Sequence, residues 1–397
     1  MSQDRAASIL GPILRTNEFL GVGPFVRPVE TKGHYKHSRR FMRYIRFASF
    51  MVKFWWFRGL GLFTMKYFFA RSYFRAGVSD FGRNTVATVG LLLLSRKLTE
   101  VNQVIVLSDS FSHREESRKW VSRLVSRMNM LVWGYVSLRI FLDIATFYSE
   151  NLMPVFMESE MFIDPAGVPP NMYPLILCYA FVDMMFNRLI TSVALLLNQV
   201  TYIVFNFLAF TKFSNFDSDI RDCLRNRGGP NHIWRLRLLH ADLCQLIIFM
   251  DDLFSPLALL LHGGVVAGYC TETLRFIQRY ERGLDISESW LTFFTFALNM
   301  TYLLTMISIT TASTSKLCES PKRSMRIVHD LLQNYGAGFA NMTAGSQQIR
   351  LLLSQMQVKY VQMTAWRFYK LDRAALMTTL GASVTYVSVV VQSSTAD

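Results

Sequence analysis

Several carboxylate and amide side chains of this sequence stand inside stretches that are otherwise strongly apolar. Asp143 and Asp183 are ionisable groups with apolar residues on both sides, and Asn187 and Asn299 add amides in similar surroundings. An ionisable group at membrane depth is costly and usually faces a protein interior or a wet cavity. Carboxylate and amide oxygens accept hydrogen bonds from hydroxyl groups, and aromatic rings stack on C–H faces. These residue types therefore suit the non-covalent binding of a small polyhydroxyl molecule.

The candidate pocket combines these groups with aromatic residues from four apolar stretches. Two different roles remain open for these side chains. Tyr and Trp are common at both interfaces of a bilayer, where their rings lie at headgroup level, and the aspartates could pair with Arg139 or Arg188 instead of facing a ligand. The candidate residues are Tyr135, Asp143, Tyr148, Tyr179, Asp183, Asn187, His262, Tyr269, Trp290, Phe294, Asn299 and Tyr302.

Motifs for covalent chemistry are not found. The sequence has no Gly-x-Ser-x-Gly, no phosphate-binding glycine loop and no His-Glu-x-x-His. His34 and His37 have a metal-ligand spacing, but in their Gly- and Arg-rich loop a solvated role is the simpler interpretation. Asp251 and Asp252 are adjacent, so on a helix they point about 100° apart and cannot form an acid–base pair. Two roles remain open for them. They either attract cations or pair with basic helices at a cytoplasmic opening, or they are simply solvated carboxylates at the end of a helix. We expect no enzyme activity, no metal and no cofactor.

The composition indicates a lipid-facing surface. Of the 397 residues, 51% are hydrophobic and 14% aromatic. Only 18% are charged, against about 25% in average globular proteins. The net charge of +14 does not indicate a nucleic-acid partner, because the basic residues lie between apolar stretches and no nucleic-acid-binding signature is present. Cytoplasmic loops rich in Lys and Arg explain this charge.

Seven stretches are candidates for membrane spans, each of which needs about 20 mostly apolar residues. The long stretch 173–211 is interpreted as one tilted helix that continues into the cytoplasm, with two spans as the alternative. Stretch 41–70 contains five basic residues, so a helix lying on the membrane surface competes with a true span there. The seven stretches are 41–70, 84–107, 128–149, 173–211, 253–274, 290–312 and 371–392.

Charge asymmetry between the loops predicts the orientation of the chain. Residues 150–172 contain no Lys or Arg and four acidic residues, whereas basic residues are frequent in 113–127, 212–237 and 316–326. By the positive-inside rule, the basic loops are cytoplasmic and 150–172 is extracellular. With seven spans, the N-terminus is then cytoplasmic and the C-terminus extracellular, which is the reverse of a G-protein-coupled receptor.

The predicted fold is an all-α membrane protein with seven transmembrane helices and a cytoplasmic helical anchor region. Helical spacing of apolar residues in 5–20, 213–250 and 316–366 predicts helices below the membrane, with breaks at 228–230 and 336–338. Four regions follow from the pattern. They are a cytoplasmic segment with an amphipathic helix (1–40), six spans with the pocket in their outer half (41–312), anchor helices (313–370), and a last span with a short extracellular tail (371–397).

The last apolar stretch carries a resemblance to a known family. Thr385 and Tyr386 are followed by five residues, all apolar except Ser388, and then by Gln392. This resembles the final helix of insect-type gustatory receptors, which ends in Thr-Tyr, five apolar residues, Gln and Phe. Ser393 stands where the family has Phe. The chain length, the number of spans and the orientation also resemble those of the family.

The resemblance implies a ligand-gated, non-selective cation channel in the plasma membrane, built as a homotetramer or a heterotetramer. Each subunit would contribute its last helix to a central pore and keep its own pocket for a small molecule. Stretches 11–24 and 243–261 resemble the sugar-receptor branch, so a sugar is expected first, with bitter compounds or another metabolite next. A metabotropic receptor and a transporter also fit a multi-pass chain. The implied pore and gate residues are Thr385, Tyr386, Ser388, Val389, Gln392 and Ser393.

Overall fold

The computed structural model describes most of the chain, and the described part is almost entirely helical. The helices are α1 (Arg5–Phe19), α2 (Arg39–Phe69), α3 (Thr85–Arg96), α4 (Glu115–Ser149), α5 (Tyr173–Arg188), α6 (Ala194–Arg225), α7 (Pro230–Glu281), α8 (Trp290–Phe339), α9 (Thr343–Val358) and α10 (Arg373–Ser394). Strands β1 (Thr364–Ala365) and β2 (Tyr369–Lys370) form a hairpin before α10. The described residues are 5–20, 22, 39–69, 85–97, 100–101, 103–104, 115–149, 157, 161, 168–188, 192–225, 229–281, 290–339, 343–358 and 362–394.

Four of the described helices are long and apolar enough to cross a membrane, by length and composition. They are Lys119–Tyr148, Ala194–Cys223, Pro230–Cys270 and Phe293–Asp330, while Thr85–Arg96 and Tyr173–Asp183 are shorter apolar helices. Large apolar side chains of α4 point outward, with Met130 and Leu131 each 70% exposed. A soluble monomer rarely exposes a continuous apolar face of this kind, so lipid is the natural cover for this surface.

The core lies where α6 packs between α7 and α8. Tyr202 and Phe205 of α6 are buried and contact the ring of Phe254 on α7, with ring centroids 5.5 and 5.3 Å apart. Polar groups join α6 to α8 within this core, because the amide of Asn206 and the phenol of Tyr202 both hydrogen-bond the Thr314 hydroxyl at 3.1 Å. Buried polar groups are tolerated when they are hydrogen-bonded in this way.

Helix boundaries bear on several parts of the sequence prediction. Whether 173–211 forms one continuous helix depends on residues 189–191, which lie outside the described residues, between the end of α5 at Arg188 and the π-helical turn at Ser192 and Val193 that precedes α6. The predicted break at 336–338 is wrong, because α8 continues to Phe339. The predicted span 253–274 and the preceding stretch 230–250, which the sequence places outside the span, form the single helix α7. The break at 228–230 is confirmed, since α7 begins at Pro230, where a missing N–H costs little in the first turn of a helix.

Candidate ligand-binding site

A cavity of about 50 Å³ lies between α4, α6, α7 and α8. Three of the twelve candidate pocket residues, Tyr135, Asn299 and Tyr302, come together in its wall. One part of the wall is apolar and the other carries phenol, amide and carboxylate groups. The lining consists of Tyr135, Ser192, Leu195, Leu196, Gly264, Gly268, Glu272, Asn299, Tyr302 and Leu303.

Two tyrosines form one side of the cavity. The rings of Tyr135 on α4 and Tyr302 on α8 are stacked, with centroids 4.4 Å apart and planes inclined by 25°. The Tyr135 hydroxyl donates to the Oδ1 of Asn299 at 3.2 Å, and the Tyr302 hydroxyl donates to the Oε1 of Gln199 at 3.1 Å. A phenol has a single hydrogen to donate. Toward a ligand, both hydroxyls can therefore act only as hydrogen-bond acceptors.

Asn299 links three helices through its amide. Its Oδ1 accepts a hydrogen bond from Arg139 Nη1 at 2.6 Å, and its Nδ2 donates to Glu272 Oε2 at 2.9 Å. Arg139 also forms an ion pair with Asp143 on the next turn of α4, at 3.2 Å. Arg139, Glu272 and Asn299 are all buried, and buried charges are tolerated when they are paired and hydrogen-bonded. The result is a continuous polar chain from Asp143 to Glu272, which reaches the cavity wall at Asn299 and Glu272.

Glu272 and two glycines are functional candidates that the apolar pattern of the sequence did not single out. Gly264, Gly268 and Glu272 repeat every four residues, so they lie on one face of α7. A Cβ at Gly268 would come within 3.3 Å of Leu303, and one at Gly264 within 3.2 Å of Val86. The glycines thus let α7 approach its neighbours closely. This spacing of small residues leading to a carboxylate inside an apolar stretch is the signal that could have revealed the site.

Asp183 and Tyr179 lie at a contact between α5 and α2 and do not line the cavity. Arg58 of α2 forms an ion pair with Asp183 at 2.6 Å and donates to the Tyr179 hydroxyl at 2.9 Å. The guanidinium also lies over the ring of Trp55, 5.1 Å from its centroid. This contact places the middle of α2 beside the apolar helix α5. Of the two pairings considered for the aspartates, the one between Asp143 and Arg139 is present. Asp183 pairs with Arg58, and the side chain of Arg188 lies outside the described residues.

The other candidate pocket residues lie elsewhere among the described helices. His262 is buried and faces the ring of Tyr369 in the hairpin, with centroids 6.3 Å apart. Tyr269 packs against a small apolar cluster that includes Leu303, next to the cavity. The side chain of Asn187 lies outside the described residues. Tyr148, Trp290 and Phe294 are exposed on the surface.

The candidate pore helix α10 presents hydroxyl and small apolar side chains. The hydroxyls of Thr385 and Ser388 are exposed and donate to the carbonyls of Gly381 and Val384, at 2.9 and 3.0 Å. Val389 and Gln392 are exposed as well. The side chains of Tyr386 and Ser393 are outside the described part of the chain. The helix packs against α7 and α8, and its exposed face is free of charged residues from 374 to 394.

The described helices form a helical membrane fold with an internal cavity. The family model of the 7tm chemosensory receptors matches residues 10–397. The chain therefore belongs to the 7tm chemosensory receptor family, and the resemblance carried by its last helix is confirmed. The predicted all-α membrane fold is confirmed with it.

Solved structures support this fold assignment. The chain is similar to the insect olfactory receptor OR5 from Machilis hrabei, with a TM-score of 0.67, 14% sequence identity and 96% of each chain covered. It is also similar to the same receptor in complex with eugenol, with a TM-score of 0.68, 13% identity and coverage of 96% of this chain and 97% of that one. No curated protein matches the chain in sequence.

Proposed function

We propose that this chain is a gustatory receptor that acts as a tetrameric, ligand-gated, non-selective cation channel in the plasma membrane, with a sugar as its ligand. The observation that carries the proposal is the polar half of the cavity wall, which offers the Glu272 carboxylate and the phenol oxygens of Tyr135 and Tyr302 as acceptors. A sugar presents many hydroxyl hydrogens, and acceptors at fixed positions bind them with directional specificity.

The size of the cavity supports a gating role for the ligand. A volume of about 50 Å³ is well below the roughly 300–1,000 Å³ of pockets that enclose a small-molecule ligand. The sugar would therefore bind a conformation in which α7 and α8 have moved apart. A ligand that binds one conformation more tightly shifts the population toward it. The difference in ligand affinity between the two conformations would supply the free energy for channel opening.

The proposed pore is lined by α10, and its orientation follows from the predicted topology of the chain. A helix face with hydroxyl and small apolar groups and no charge ring suits a weakly selective cation pore. Four copies of α10 would surround the pore, with the N-terminus of each chain cytoplasmic and the C-terminus extracellular, as the basic loops favour. The solved relative bound to eugenol is a small-molecule complex, which supports a small molecule as the ligand of this chain.

A second candidate ligand class is favoured by the other half of the wall. Leu195, Leu196 and Leu303 form an apolar surface, which suits bitter compounds with large apolar parts. Such ligands would depend on these leucines more than on Asn299. The two classes are therefore separable by the effect of single substitutions on the response.

Current recording from cells that express the chain alone tests the proposal. We expect a monosaccharide to evoke a cation current that Asn299→Ala abolishes, while Thr301→Ala, an exposed position on the same helix, leaves it intact. A response to bitter compounds alone would replace the sugar by the second class. A C-terminal tag stained on intact cells tests the topology, and an intracellular tag would favour a metabotropic receptor.

A further inference from the structure

Helix α7 contains a proline that leaves one backbone carbonyl without a helical hydrogen-bond donor. A side chain from elsewhere in the chain binds this carbonyl instead. Pro256 lies in the middle of α7 and has no N–H, so the carbonyl of Asp252, four residues earlier, has no helical donor. The Lys97 ammonium, just after α3, donates a hydrogen bond to that carbonyl. A charged side chain therefore supplies the hydrogen bond that the helix lacks at Pro256, and this bond stabilises α7 at that point.

The hairpin that precedes α10 is bonded to the same turn of α7. The backbone N–H of Trp366 donates to the carbonyl of Ser255 at 2.9 Å. The backbone N–H of Thr364 donates to the Asp251 carboxylate at 2.6 Å, and the Thr364 hydroxyl donates to the same carboxylate at 3.0 Å. Backbone and side-chain bonds together thus fix β1 to the residues just before Pro256.

A third contact involves the other acidic residue of this turn. The guanidinium of Arg367 forms an ion pair with Asp252 at 3.0 Å. Arg367 also donates its backbone N–H to the Thr364 hydroxyl at 3.2 Å. The sequence left two roles open for the adjacent carboxylates Asp251 and Asp252. In the structure, both carboxylates bind the hairpin.

The turn of the hairpin has an uncommon backbone conformation. Trp366 and Arg367 have φ angles of 47° and 62°, in the left-handed region that such hairpin turns normally fill with Asn and Gly. Side chains with a Cβ adopt this region at a cost in free energy, and such residues persist where surrounding contacts hold them. Here the bonds to Ser255 and Asp252 are those contacts. The hairpin is thus held in a conformation that depends on α7.

The hairpin leads directly into the pore helix. Leu371 donates its N–H to the carbonyl of Met363 at 3.1 Å, and Met363 donates its own N–H to Cys318 Sγ of α8 at 3.2 Å. Asp372 caps α10 by accepting the N–H of Ala375 at 3.0 Å. Burial raises the pKa of the Tyr369 phenol, so this side chain of the hairpin stays neutral. The start of α10 is therefore fixed to α7 and α8 through the hairpin.

We infer that a joint, consisting of Asp251, Asp252, Ser255 and Pro256 with Lys97 and the hairpin 364–370, positions the inner end of the pore helix and couples it to the cavity. The inference rests on the proposed channel function. Gly264, Gly268 and Glu272 of the cavity follow Pro256 on α7, whereas the residues that hold the hairpin precede it. A change of bend at Pro256 therefore moves the cavity wall relative to the hairpin and α10.

Variants of the joint test the inference in the full chain. Thr364→Val removes the hydroxyl bonds to Asp251, Arg367→Met removes the ion pair with Asp252, and Pro256→Ala restores the missing N–H. We expect each to change the ligand concentration for half-maximal current, or the ligand-free current, by about fivefold or more. Ligand binding to the purified protein should change less than the current. Arg235→Met is the matched control, since Arg235 is exposed on α7 and lies 16 positions before Asp251, outside the joint.

Hydrogen exchange of the purified protein gives a readout that needs no current. Arg367→Met is the mildest variant, because its side chain is exposed, and it should speed exchange of the amides of 363–376 but not those of the cavity helices. Normal currents from the variants, or unchanged exchange in 363–376, would overturn the inference. A wild-type chain that passes no current with any ligand would instead overturn the proposed channel, while the exchange experiment would still decide whether the joint positions α10.

Discussion

The guanidinium of Arg139 on α4 donates a 2.6 Å hydrogen bond to the amide oxygen of Asn299 on α8, in the wall of the cavity. Its other Nη atom forms the ion pair with Asp143. Because the oxygen of Asn299 is held by Arg139 and Tyr135, its nitrogen is directed to Glu272. The amide is therefore a fixed link between α4, α8 and α7. A ligand that displaces Glu272 or Tyr135 acts on all three helices at once.

Removing Arg139 should destabilise the receptor strongly. Arg139→Met leaves the partly buried Asp143 without this ion pair and Asn299 without its shortest hydrogen bond, and loss of one partner of a buried pair costs about 3 kcal/mol. The free energy of unfolding of the detergent-purified protein should fall accordingly. Arg139→Lys should recover only part of the loss, since an ammonium does not reproduce a two-pronged guanidinium.

The control for this prediction is Arg123→Met on the same helix. Arg123 is exposed and donates only to a backbone carbonyl one turn away, so its loss should change the free energy of unfolding by less than about 0.5 kcal/mol. Equal stability of Arg123→Met and Arg139→Met would contradict the buried network described above.

Gly268→Ala should weaken the response to ligand without unfolding the receptor. The added methyl group would lie 3.3 Å from a methyl carbon of Leu303, and this leucine, which lines the cavity, has space to yield toward it. A smaller cavity raises the ligand concentration for half-maximal current by about tenfold, which corresponds to about 1.4 kcal/mol. Concentration–response curves measure this shift.

Gly263→Ala provides the matched control on the same helix. Apart from the backbone of the helix itself, no atom of the described residues lies within 4 Å of the added carbon at this exposed position. Replacing Gly by Ala inside a helix stabilises it by up to about 1 kcal/mol, so this variant should respond normally and unfold at a slightly higher temperature. A normal response from Gly268→Ala as well would show that the ligand does not occupy this cavity.

Charge reversal should show that Arg58 and Asp183 hold α2 against α5. Asp183→Arg places two cations together where the structure has a 2.6 Å ion pair, and we expect little receptor at the cell surface. Combining it with Arg58→Asp restores opposite charges and should recover part of the surface expression, although the bond to Tyr179 is not reproduced. Surface biotinylation measures both variants. A double variant no better than the single one would argue against a direct pair.

The sequence indicated which polar residues lie on apolar helices more reliably than it indicated the residues that contact them. An apolar stretch shows that Asp183 and His262 lie on spanning helices, but their partners depend on how helices distant in the chain pack. Arg58 is 125 positions before Asp183 and Tyr369 is 107 positions after His262. Tyr135, Asn299 and Tyr302 could be grouped because aromatic and amide residues stand out in apolar surroundings.

Two parts of the structure were not predictable from the apolar pattern. Glu272 stands near the end of its stretch, where a charge is expected to meet headgroups, and only its spacing from Gly264 and Gly268 indicates a shared inward face. The hairpin at 364–370 overlaps the end of the stretch 316–366, for which helical spacing predicted helix. Its turn has Trp366 and Arg367 at positive φ, and these residue types give no local signal for such a turn, because tertiary bonds to α7 stabilise it.

Gln392 offers a test of the pore that separates conduction from assembly. It is exposed on α10 and matches the glutamine of the family's final helix. Gln392→Ala should alter conductance or gating with normal surface expression. Gln392→Glu would add a ring of carboxylates to a tetrameric pore, and such rings favour cations, so the permeability of Na⁺ relative to Cl⁻ should rise. Reversal potentials in diluted NaCl measure this ratio. Unchanged conductance and selectivity in both variants would remove Gln392 from the pore and leave α10 as a peripheral helix.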